Sequence, residues 1–296
     1  MTKPLSGLLN IAKPAGLTSR QVVDRVQRLV RPAKAGHAGT LDPLATGVLV
    51  ICVGQATRLI EYVQRMPKTY LGEFLLGRTS DTEDISGAVV ELVDPPAPTL
   101  AAVNAALPAF TGTIQQRPPA YSALKIAGRR AYDMARAGEE FELAARPIDV
   151  YEIDVVEYEY PKLVLKIRCG SGTYVRSLGR DIAESLGTGA VMSALERTAI
   201  GCFESQAGID TDVLTPTNLA EHLKPPKLAV VGLPSIVVSA DERKSLTNGR
   251  AITRTEYAAP ESELPEELIA LDEAGELTAI LKPLTRELWK PDRNFA

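Results

Sequence analysis

The sequence predicts an α/β protein followed by a small β module, and three observations lead to this prediction. Before residue 210, apolar runs typical of buried strands are interleaved with apolar stripes at helical spacing. The stretch LKPPKLAVVGLP, residues 223–234, is punctuated by prolines, and a hairpin pattern follows it. The 296 residues suffice for one large and one small domain. We therefore predict domains at residues 1–232 and 233–296.

The chain begins with the pattern of a strand and a helix. Residues GLLNIAKPAGLTS predict a short buried strand and a turn, with Thr18 or Ser19 capping the helix that follows. That helix should end at Arg31-Pro32, because the residue before a proline disfavours helical geometry. Its apolar stripe consists of Val22, Val23, Val26 and Leu29.

Further strands and helices follow in order. GVLVICVG predicts a buried strand, KTYLGEFLLG alternates with the period of a strand, and TLAAVNAALPAFTG predicts a helix that Pro108 stops. LVLKIRCGSGTYVRSLGRDIAESLG predicts a strand, a tight glycine turn and a helix that ends at Gly187. In the tail, DERKSLTNG predicts a short helix and ELIALDEAGELTAILK a hairpin.

Composition excludes several classes of protein. No run approaches the ~18 apolar residues of a membrane span, and the first residues lack the pattern of a cleaved signal, so we expect a cytoplasmic protein. The three isolated cysteines suggest reduced structural thiols, and two histidines argue against a zinc site.

Charge is distributed unevenly along the chain. The net charge of −4 argues weakly against nucleic acid, yet residues 1–36 carry seven Lys or Arg against one Asp. Residues 257–276 instead carry seven acids and no base. An anionic partner would therefore meet the amino-terminal part of the chain.

The segment QQRPPAYSALKIAGRRAYDMARAGEE is also basic, and tyrosines are interleaved with its cations. Arg129 and Arg130 lie at its centre. Such a pattern suits a surface that touches phosphates and stacks on bases, although a solvated helix with buried tyrosines explains this segment equally well.

The loop GHAGTLDPLATGVL raises the question of function. Asp42 precedes a proline and stands among glycines, small residues and aliphatics, where a carboxylate needs a cation or donors to stay charged. Arg176, at the corner between a strand and a helix, is the candidate cation. The alternatives are an ordinary turn for Asp42, a solvated helix residue for Arg176, and a loop or capping histidine for His37.

Five motifs occur in one order between about residues 7 and 208: NIAKPAGLTS, GHAGTLDPLATGVL, KTYLGEFLLG with TSDTEDISG, RPPAYSALKIAGRRAYDMARAGE, and CGSGTYVRSLGRDIAESLG. Together they resemble the bacterial tRNA pseudouridine synthase B family, which converts uridine 55 in the T loop of tRNA. The resemblance implies a mixed, mostly antiparallel central sheet flanked by helices. The tail resembles, more faintly, the PUA-like RNA-binding domain of that family.

The resemblance also implies roles for single residues. Asp42 would be the catalytic aspartate, Arg176 its arginine partner, and Tyr70 the aromatic that stacks on the target base. The remaining matches are His37, which helps to hold the everted loop; Tyr174, near the reacting ring; Leu195, which lines the pocket; and Lys13, in a basic motif near the site.

The chemistry fits these residue types. The reaction breaks C1′–N1, turns the base, joins C5 to C1′ and releases the C5 proton, so it needs no redox change, metal or cofactor. A carboxylate could attack C1′ or remove a ribose proton, and the sequence leaves both routes open. We expect tRNA, through its T arm, as the partner, and a monomer without a membrane or metal.

Two alternatives to this function remain at the level of sequence. One is a non-catalytic RNA-binding protein, which would leave Asp42 and Arg176 unexplained. The other is a glycoside hydrolase, for which SDTEDISG offers further carboxylates. We expect that acidic stretch to be a solvated turn instead.

Overall fold

The computed structural model describes residues 5–122, 124–126, 128–139, 141, 143–254 and 264–295. Its strands are β1 (Gly7–Lys13), β2 (Ala35–His37), β3 (Thr46–Val53), β4 (Lys68–Leu76), β5 (Arg78–Thr79), β6 (Val90–Glu91), β7 (Gly112–Gln116), β8 (Lys125–Ile126), β9 (Arg129–Arg130), β10 (Arg146–Glu159), β11 (Lys162–Cys169), β12 (Ala190–Ile200), β13 (Phe203–Glu204), β14 (Ser235–Val237), β15 (Ile252–Thr253), β16 (Leu268–Leu271), β17 (Leu277–Pro283) and β18 (Leu288–Asn294). Its α-helices are α1 (Ser19–Val30), α2 (Ile60–Arg65), α3 (Leu100–Ala106), α4 (Ala131–Arg136), α5 (Val175–Ser185), α6 (Leu219–His222) and α7 (Ala240–Thr247).

A central sheet organises the larger part of the chain. Its strand order is β1-β3-β12-β4-β11-β10-β7, with β2 attached to β3 and β13 to β12. Among the described residues, β12 and β3 run parallel and the other pairs in this sheet are antiparallel. The predicted mixed, mostly antiparallel sheet is confirmed.

The first helix forms where the sequence predicts it. Thr18 caps α1 with a complete capping box, in which its hydroxyl accepts from the Gln21 amide and the Gln21 side chain accepts from Thr18. The three valines of the predicted stripe are buried, and Val30 is buried more deeply than Leu29. The helix ends at Val30 with Arg31 as its C-cap, at the predicted stop.

Two central strands show the expected patterns. Side chains of β4 alternate between buried and half-buried positions, so Tyr70 and Phe74 share the buried face. Strand β11 lies beside β4 and leads through a glycine turn into α5, which packs its apolar stripe on the sheet. The turn and the start of α5 therefore lie over the face of the sheet that carries Tyr70.

A second sheet lies in the carboxyl-terminal part, with strand order β14-β16-β17-β18-β15. The predicted hairpin is confirmed as β16 and β17, and Trp289 lies fully buried in the core beneath the sheet. Ile269 and Ile280 also pack with Val48 and Val50 of the central sheet in one cluster. The boundary at residue 232 stays a prediction, because this cluster joins the two sheets.

Two further observations concern the chain as a whole. Within the described residues, no helix combines the length and apolarity that crossing a membrane requires. The three cysteines are free thiols, of which Cys52 and Cys169 are buried and Cys202 is exposed. Burial raises the pKa of the Cys52 thiol to about 12 and of Cys169 to about 11, so both stay protonated and unreactive.

Candidate active site

Asp42 lies in the loop of residues 38–45 between β2 and β3, which we call the aspartate loop. The loop is fixed by contacts with α1 and with the segment that precedes this helix. The Ser19 hydroxyl accepts from the Leu41 amide at 2.8 Å and donates to the Leu41 carbonyl at 3.0 Å. The Gly16 amide donates to the Pro43 carbonyl at 2.8 Å. The backbone on both sides of Asp42 is therefore held in place before any ligand binds.

Arg176 faces Asp42 from the first turn of α5. Its Nη2 lies 3.0 Å from Asp42 Oδ2, which confirms the ion pair that the sequence only suggested. The arginine side chain is 7% exposed, whereas that of Asp42 is 38% exposed. The cation is thus held inside the protein, and the carboxylate stays open to a ligand.

The protein orients Arg176 from a second side as well. Nη1 donates to the Thr82 carbonyl at 2.7 Å and lies 3.5 Å from Asp84 Oδ2, and Nη2 donates to the Tyr121 carbonyl at 3.2 Å. Asp84 is itself buried, 5% exposed at its side chain. Arg176 therefore bridges a buried carboxylate and the open one.

Our expectation that the acidic stretch SDTEDISG forms a solvated turn is wrong. Asp81 is exposed, but Asp84 is buried and accepts hydrogen bonds from the Thr82 hydroxyl at 2.7 Å and from the Ser86 amide at 2.9 Å. Glu83 pairs with Arg180 and accepts from the Ser177 hydroxyl. The side chains of Glu83 and Asp84 are thus largely buried, and each pairs with an arginine of α5.

Glu83 pairs with Arg180 and does not line the cavity that lies over Asp42 and Arg176. Burial raises the pKa of its carboxyl, while the Ser177 hydroxyl and the Arg180 charge act in the opposite direction. The hydrolase alternative requires a tuned acid beside Asp42, and the geometry gives Glu83 and Asp84 another task, which is to hold the arginines of α5.

A cavity of about 410 Å³ lies over the pair. It brings together five of the side chains predicted to form the site: Asp42, Tyr70, Tyr174, Arg176 and Leu195. These residues come from the aspartate loop, β4, the turn before α5, α5 and β12. Four distant parts of the chain thus converge on one open cleft at the centre of the sheet.

Two aromatic side chains shape this cavity. Tyr70 is 9% exposed, and burial raises the pKa of its hydroxyl, so the phenol stays neutral. Tyr174 caps α5, and its backbone is held by Gln116, which accepts from the Tyr174 amide at 2.9 Å. The Arg146 guanidinium lies 5.2 Å from the centre of the Tyr174 ring and fixes its tilt by a cation–π contact.

His37 and Lys13 lie outside the residues that line the cavity. Burial and the charge of Arg197 lower the pKa of His37, which therefore is neutral near pH 7. Lys13 is 1% exposed and donates to the carbonyls of Pro14 and Leu17 at 2.8 and 2.7 Å. Burial lowers the pKa of Lys13 to about 8. Its ammonium therefore holds the backbone beside the aspartate loop through these hydrogen bonds.

The predicted RNA-binding arginines lie on the β8–β9 hairpin, apart from the cavity. Arg129 forms a two-pronged ion pair with Glu139, at 2.7 and 2.9 Å. Arg130 belongs to β9, but its side chain lies outside what the structure describes. The acidic run of the tail, residues 257–276, also lies partly outside the described residues.

Two buried cations of the cavity were missed by sequence reasoning. Arg197 is 1% exposed on β12 and Lys68 is 6% exposed on β4, and both line the cavity. The alternation of β4 places Lys68 on the same face as Tyr70, and that of β12 places Arg197 on the same face as Leu195. A cation at a buried position of a strand was the signal that could have found them.

Comparison with known proteins is consistent with this geometry. A family model described as TruB family pseudouridylate synthase (N terminal domain) matches residues 27–175. A tRNA pseudouridine synthase B of Gluconacetobacter diazotrophicus is 42% identical over 257 residues, which cover 85% of this chain and 84% of the relative. The protein of the same name in Dehalococcoides mccartyi is 39% identical over 295 residues, covering 98% of this chain and 97% of the relative.

Solved structures share the fold. One chain, from a structure of an H/ACA RNP bound to a substrate RNA containing 2'-deoxyuridine, matches with a TM-score of 0.73 and 22% identity, covering 98% of this chain and 85% of its own. Another, from a Cbf5-Nop10-Gar1 complex, has a TM-score of 0.72 and 24% identity, covering 98% and 84%. At these identities the likeness concerns the fold alone.

Proposed function

The chain belongs to the TruB family of pseudouridylate synthases, and from this premise we propose that it is an isomerase that converts uridine 55 in the T loop of tRNA to pseudouridine. The tRNA substrate and the reaction follow the name that its relatives share over nearly their whole length. Position 55 and the T arm rest on the five collinear motifs of the sequence. One observation carries the catalytic assignment: the pair of Asp42 and Arg176, 3.0 Å apart, in a cavity that Tyr70 lines.

Asp42 supplies the reactive group of the proposed mechanism. The reaction detaches the base from C1′, turns it, joins C5 to C1′ and finally releases the C5 proton. An ionised carboxylate can attack C1′, or it can remove a ribose proton and so start the elimination of the base. Both routes need a carboxylate that is charged, open to the substrate and fixed in direction. The buried Arg176 compensates the charge of the carboxylate and fixes its direction, and the partial exposure of Asp42 leaves the carboxylate open to the substrate.

Tyr70, Tyr174 and Leu195 bind the base in this proposal. A base in a folded RNA loop has to leave its stack before it can reach Asp42, at a cost of a few kcal/mol. Stacking on the Tyr70 ring returns about 1–3 kcal/mol of that cost. Tyr174 closes the cavity from the turn before α5 and Leu195 closes it from β12, and a cavity of about 410 Å³ falls in the range of small-molecule sites.

The remaining predicted residues act around the cavity. We propose that His37, neutral at the edge of the aspartate loop, contacts the everted RNA loop. Arg129 and Arg130 on their hairpin contact phosphates, with Glu139 as the partner that Arg129 exchanges for RNA. Lys13 supports the aspartate loop through the backbone, because its ammonium is already occupied by carbonyl groups.

The organisation of the chain enters the proposal too. Residues 1–232 would form the catalytic domain and residues 233–296 a PUA-like RNA-binding domain, which the separate five-stranded sheet supports. The enzyme would act as a monomer in the cytoplasm. Sedimentation of the purified protein at micromolar concentration tests the monomer, and a mass of two chains would contradict it.

Release of tritium from [5-³H]uridine in a tRNA transcript tests the function directly. The label is placed at a single uridine at a time, and the product is mapped by chemical detection of pseudouridine. We expect tritium release only when position 55 is labelled, pseudouridine at position 55 alone in every transcript, and neither with Asp42→Asn. Free uracil in place of pseudouridine would identify a hydrolase, and binding without any release would identify a non-catalytic RNA-binding protein.

A further inference from the structure

Arg197 is a buried arginine that the mechanism above does not use. Its Nε donates to the Val48 carbonyl at 2.8 Å, its Nη1 to the Thr40 carbonyl at 3.4 Å and its Nη2 to the Gly39 carbonyl at 3.1 Å. Thr40 and Val48 stand on opposite sides of Asp42 in the sequence. One side chain therefore ties together the backbone before and after the catalytic aspartate.

The sheet fixes Arg197 at this place. Strand β12 lies between β3 and β4, and Arg197 pairs with Gly47 on one side and with Tyr70 on the other. A Cβ at Gly47, whose φ is +95°, would lie 2.3 Å from the Arg197 carbonyl oxygen, so only glycine permits this approach. Arg197 thus connects β3, the strand that follows the aspartate loop, with β4, the strand that carries Tyr70.

The charge of Arg197 is bound differently from that of Arg176. Arg176 faces two carboxylates, whereas Arg197 donates to main-chain carbonyls and lies beside the Tyr70 hydroxyl. A buried cation is costly, and a methionine of similar length would fill the space without that cost. After burial itself, the charge of Arg197 is the next cause that lowers the pKa of Lys68. The arginine is therefore explained by the backbone carbonyl groups to which its nitrogens donate.

We propose that Arg197 is a positioning residue for the isomerisation: by holding the carbonyls of Gly39, Thr40 and Val48 it fixes the aspartate loop so that the Asp42 carboxylate meets Arg176 above Tyr70. Arg197 acts through Asp42 and not on the RNA. This inference rests on the proposed function, since it assigns a role within that reaction.

The planar guanidinium is essential to this role. Its nitrogens donate in three fixed directions, whereas a lysine donates from one nitrogen and reaches fewer of the three carbonyls at once. Arg197→Lys keeps the charge and loses the geometry, and Arg197→Met loses both. If geometry is what matters, the lysine variant should fail nearly as badly as the methionine variant.

The experiment compares the rate of a single turnover with the affinity for RNA. Purified wild-type protein and both variants are mixed in excess with the T-arm transcript labelled at C5 of one uridine, and filter binding gives Kd. We expect the rate to fall by roughly 100-fold in both variants, because a displacement of about 1 Å has this effect. Kd should stay within about threefold of the wild type. Arg168 is an exposed arginine of β11 that lies over the Tyr151 ring of β10. Arg168→Lys is therefore the matched control and should keep both the rate and the Kd.

A second measurement separates positioning from general destabilisation. Hydrogen exchange in Arg197→Lys should accelerate in the aspartate loop and stay unchanged in β4 and β11. Gly39→Ala disturbs the same contact without altering Arg197, since its φ of +116° strains any other residue. It should show the same loss of rate at retained Kd, and it decides the case if the Arg197 variants do not fold.

Three outcomes would overturn the proposal. They are a wild-type rate in Arg197→Lys, a Kd that rises as much as the rate falls, and loop exchange that does not change while the rate falls. Failure of the proposed function looks different, because the wild type itself would then form no pseudouridine.

Discussion

Replacing Arg176 by methionine should destabilise the protein far more than the loss of a surface ion pair does. Arg176 is 7% exposed and lies between Asp42, at 3.0 Å, and Asp84, at 3.5 Å. Methionine has a similar length and no charge, so the substitution removes the cation and leaves little empty space. What remains is a carboxylate, Asp84, whose side chain is 5% exposed.

The size of the effect follows from the burial of that carboxylate. Removing one partner of a buried ion pair costs about 3–5 kcal/mol, because the other charge remains without compensation. Asp84 keeps its hydrogen bonds from Thr82 and Ser86, which places the expected loss near the lower end of that range. Asp42 is 38% exposed and adds less, since water can solvate it. At about 2–4 °C per kcal/mol, Tm should fall by roughly 6–12 °C or more.

Urea unfolding and thermal melting measure this prediction against a matched control. Arg78 and Glu91 form an ion pair of similar length, 2.9 Å, but the glutamate is 75% exposed, so Arg78→Met should cost no more than about 1 kcal/mol. Adding Asp84→Asn to Arg176→Met removes the stranded charge and should restore part of the stability. The reasoning is refuted if Arg176→Met and Arg78→Met cost the same, or if the double variant is no more stable than Arg176→Met.

Three further predictions concern the site and its charges. Asp42→Asn should fold and bind the T arm but make no pseudouridine, since an amide is neither a nucleophile nor a base at neutral pH; product above the level of host contamination would contradict this. Burial lowers the pKa of Lys68 from 10.5 to about 8. Between pH 8 and 10.5 the unfolded state therefore binds more protons than the folded state, so the wild type should gain stability relative to Lys68→Met as the pH rises through this range. Urea unfolding at a series of pH values measures this, and parallel curves of unfolding free energy against pH for the two proteins would contradict it. The affinity for RNA should fall steeply as the salt concentration rises. Arg28 is exposed near the end of α1, and Arg28→Gln should lower the slope of log K against log salt by about 1 in filter binding. An unchanged slope would show that α1 does not contact the RNA.

The fold could be predicted to the extent that it is encoded locally. The alternation of KTYLGEFLLG places Tyr70 on the buried face of β4, and the cap at Thr18 and the break at Arg31-Pro32 bound α1. Such signals lie within a few residues of each other, so a single sequence displays them. The shared core of the two sheets was not predictable in this way, because Val48 and Ile280 meet only through the tertiary fold.

The pair of Asp42 and Arg176 was suggested by the sequence because each residue stands in an unusual local setting. Asp84 stands in no such setting. It belongs to an acidic run next to a glycine, which is typical of solvated turns, and the cation that buries it lies 92 positions further along the chain. Burial of a charged residue depends on its partner, so the composition of the run alone gave the wrong expectation.

Arg197 shows a deeper reason why part of a site escapes sequence reasoning. Period-2 alternation puts it on the face of β12 that also carries Leu195, which marks it as a buried cation. The usual next step is to look for an acidic partner, and that search fails, because its acceptors are the carbonyls of Gly39, Thr40 and Val48. Every residue has a carbonyl, so no residue type identifies these acceptors. A cation that holds the backbone of the aspartate loop is therefore recognised only once the loop and the strand are seen together.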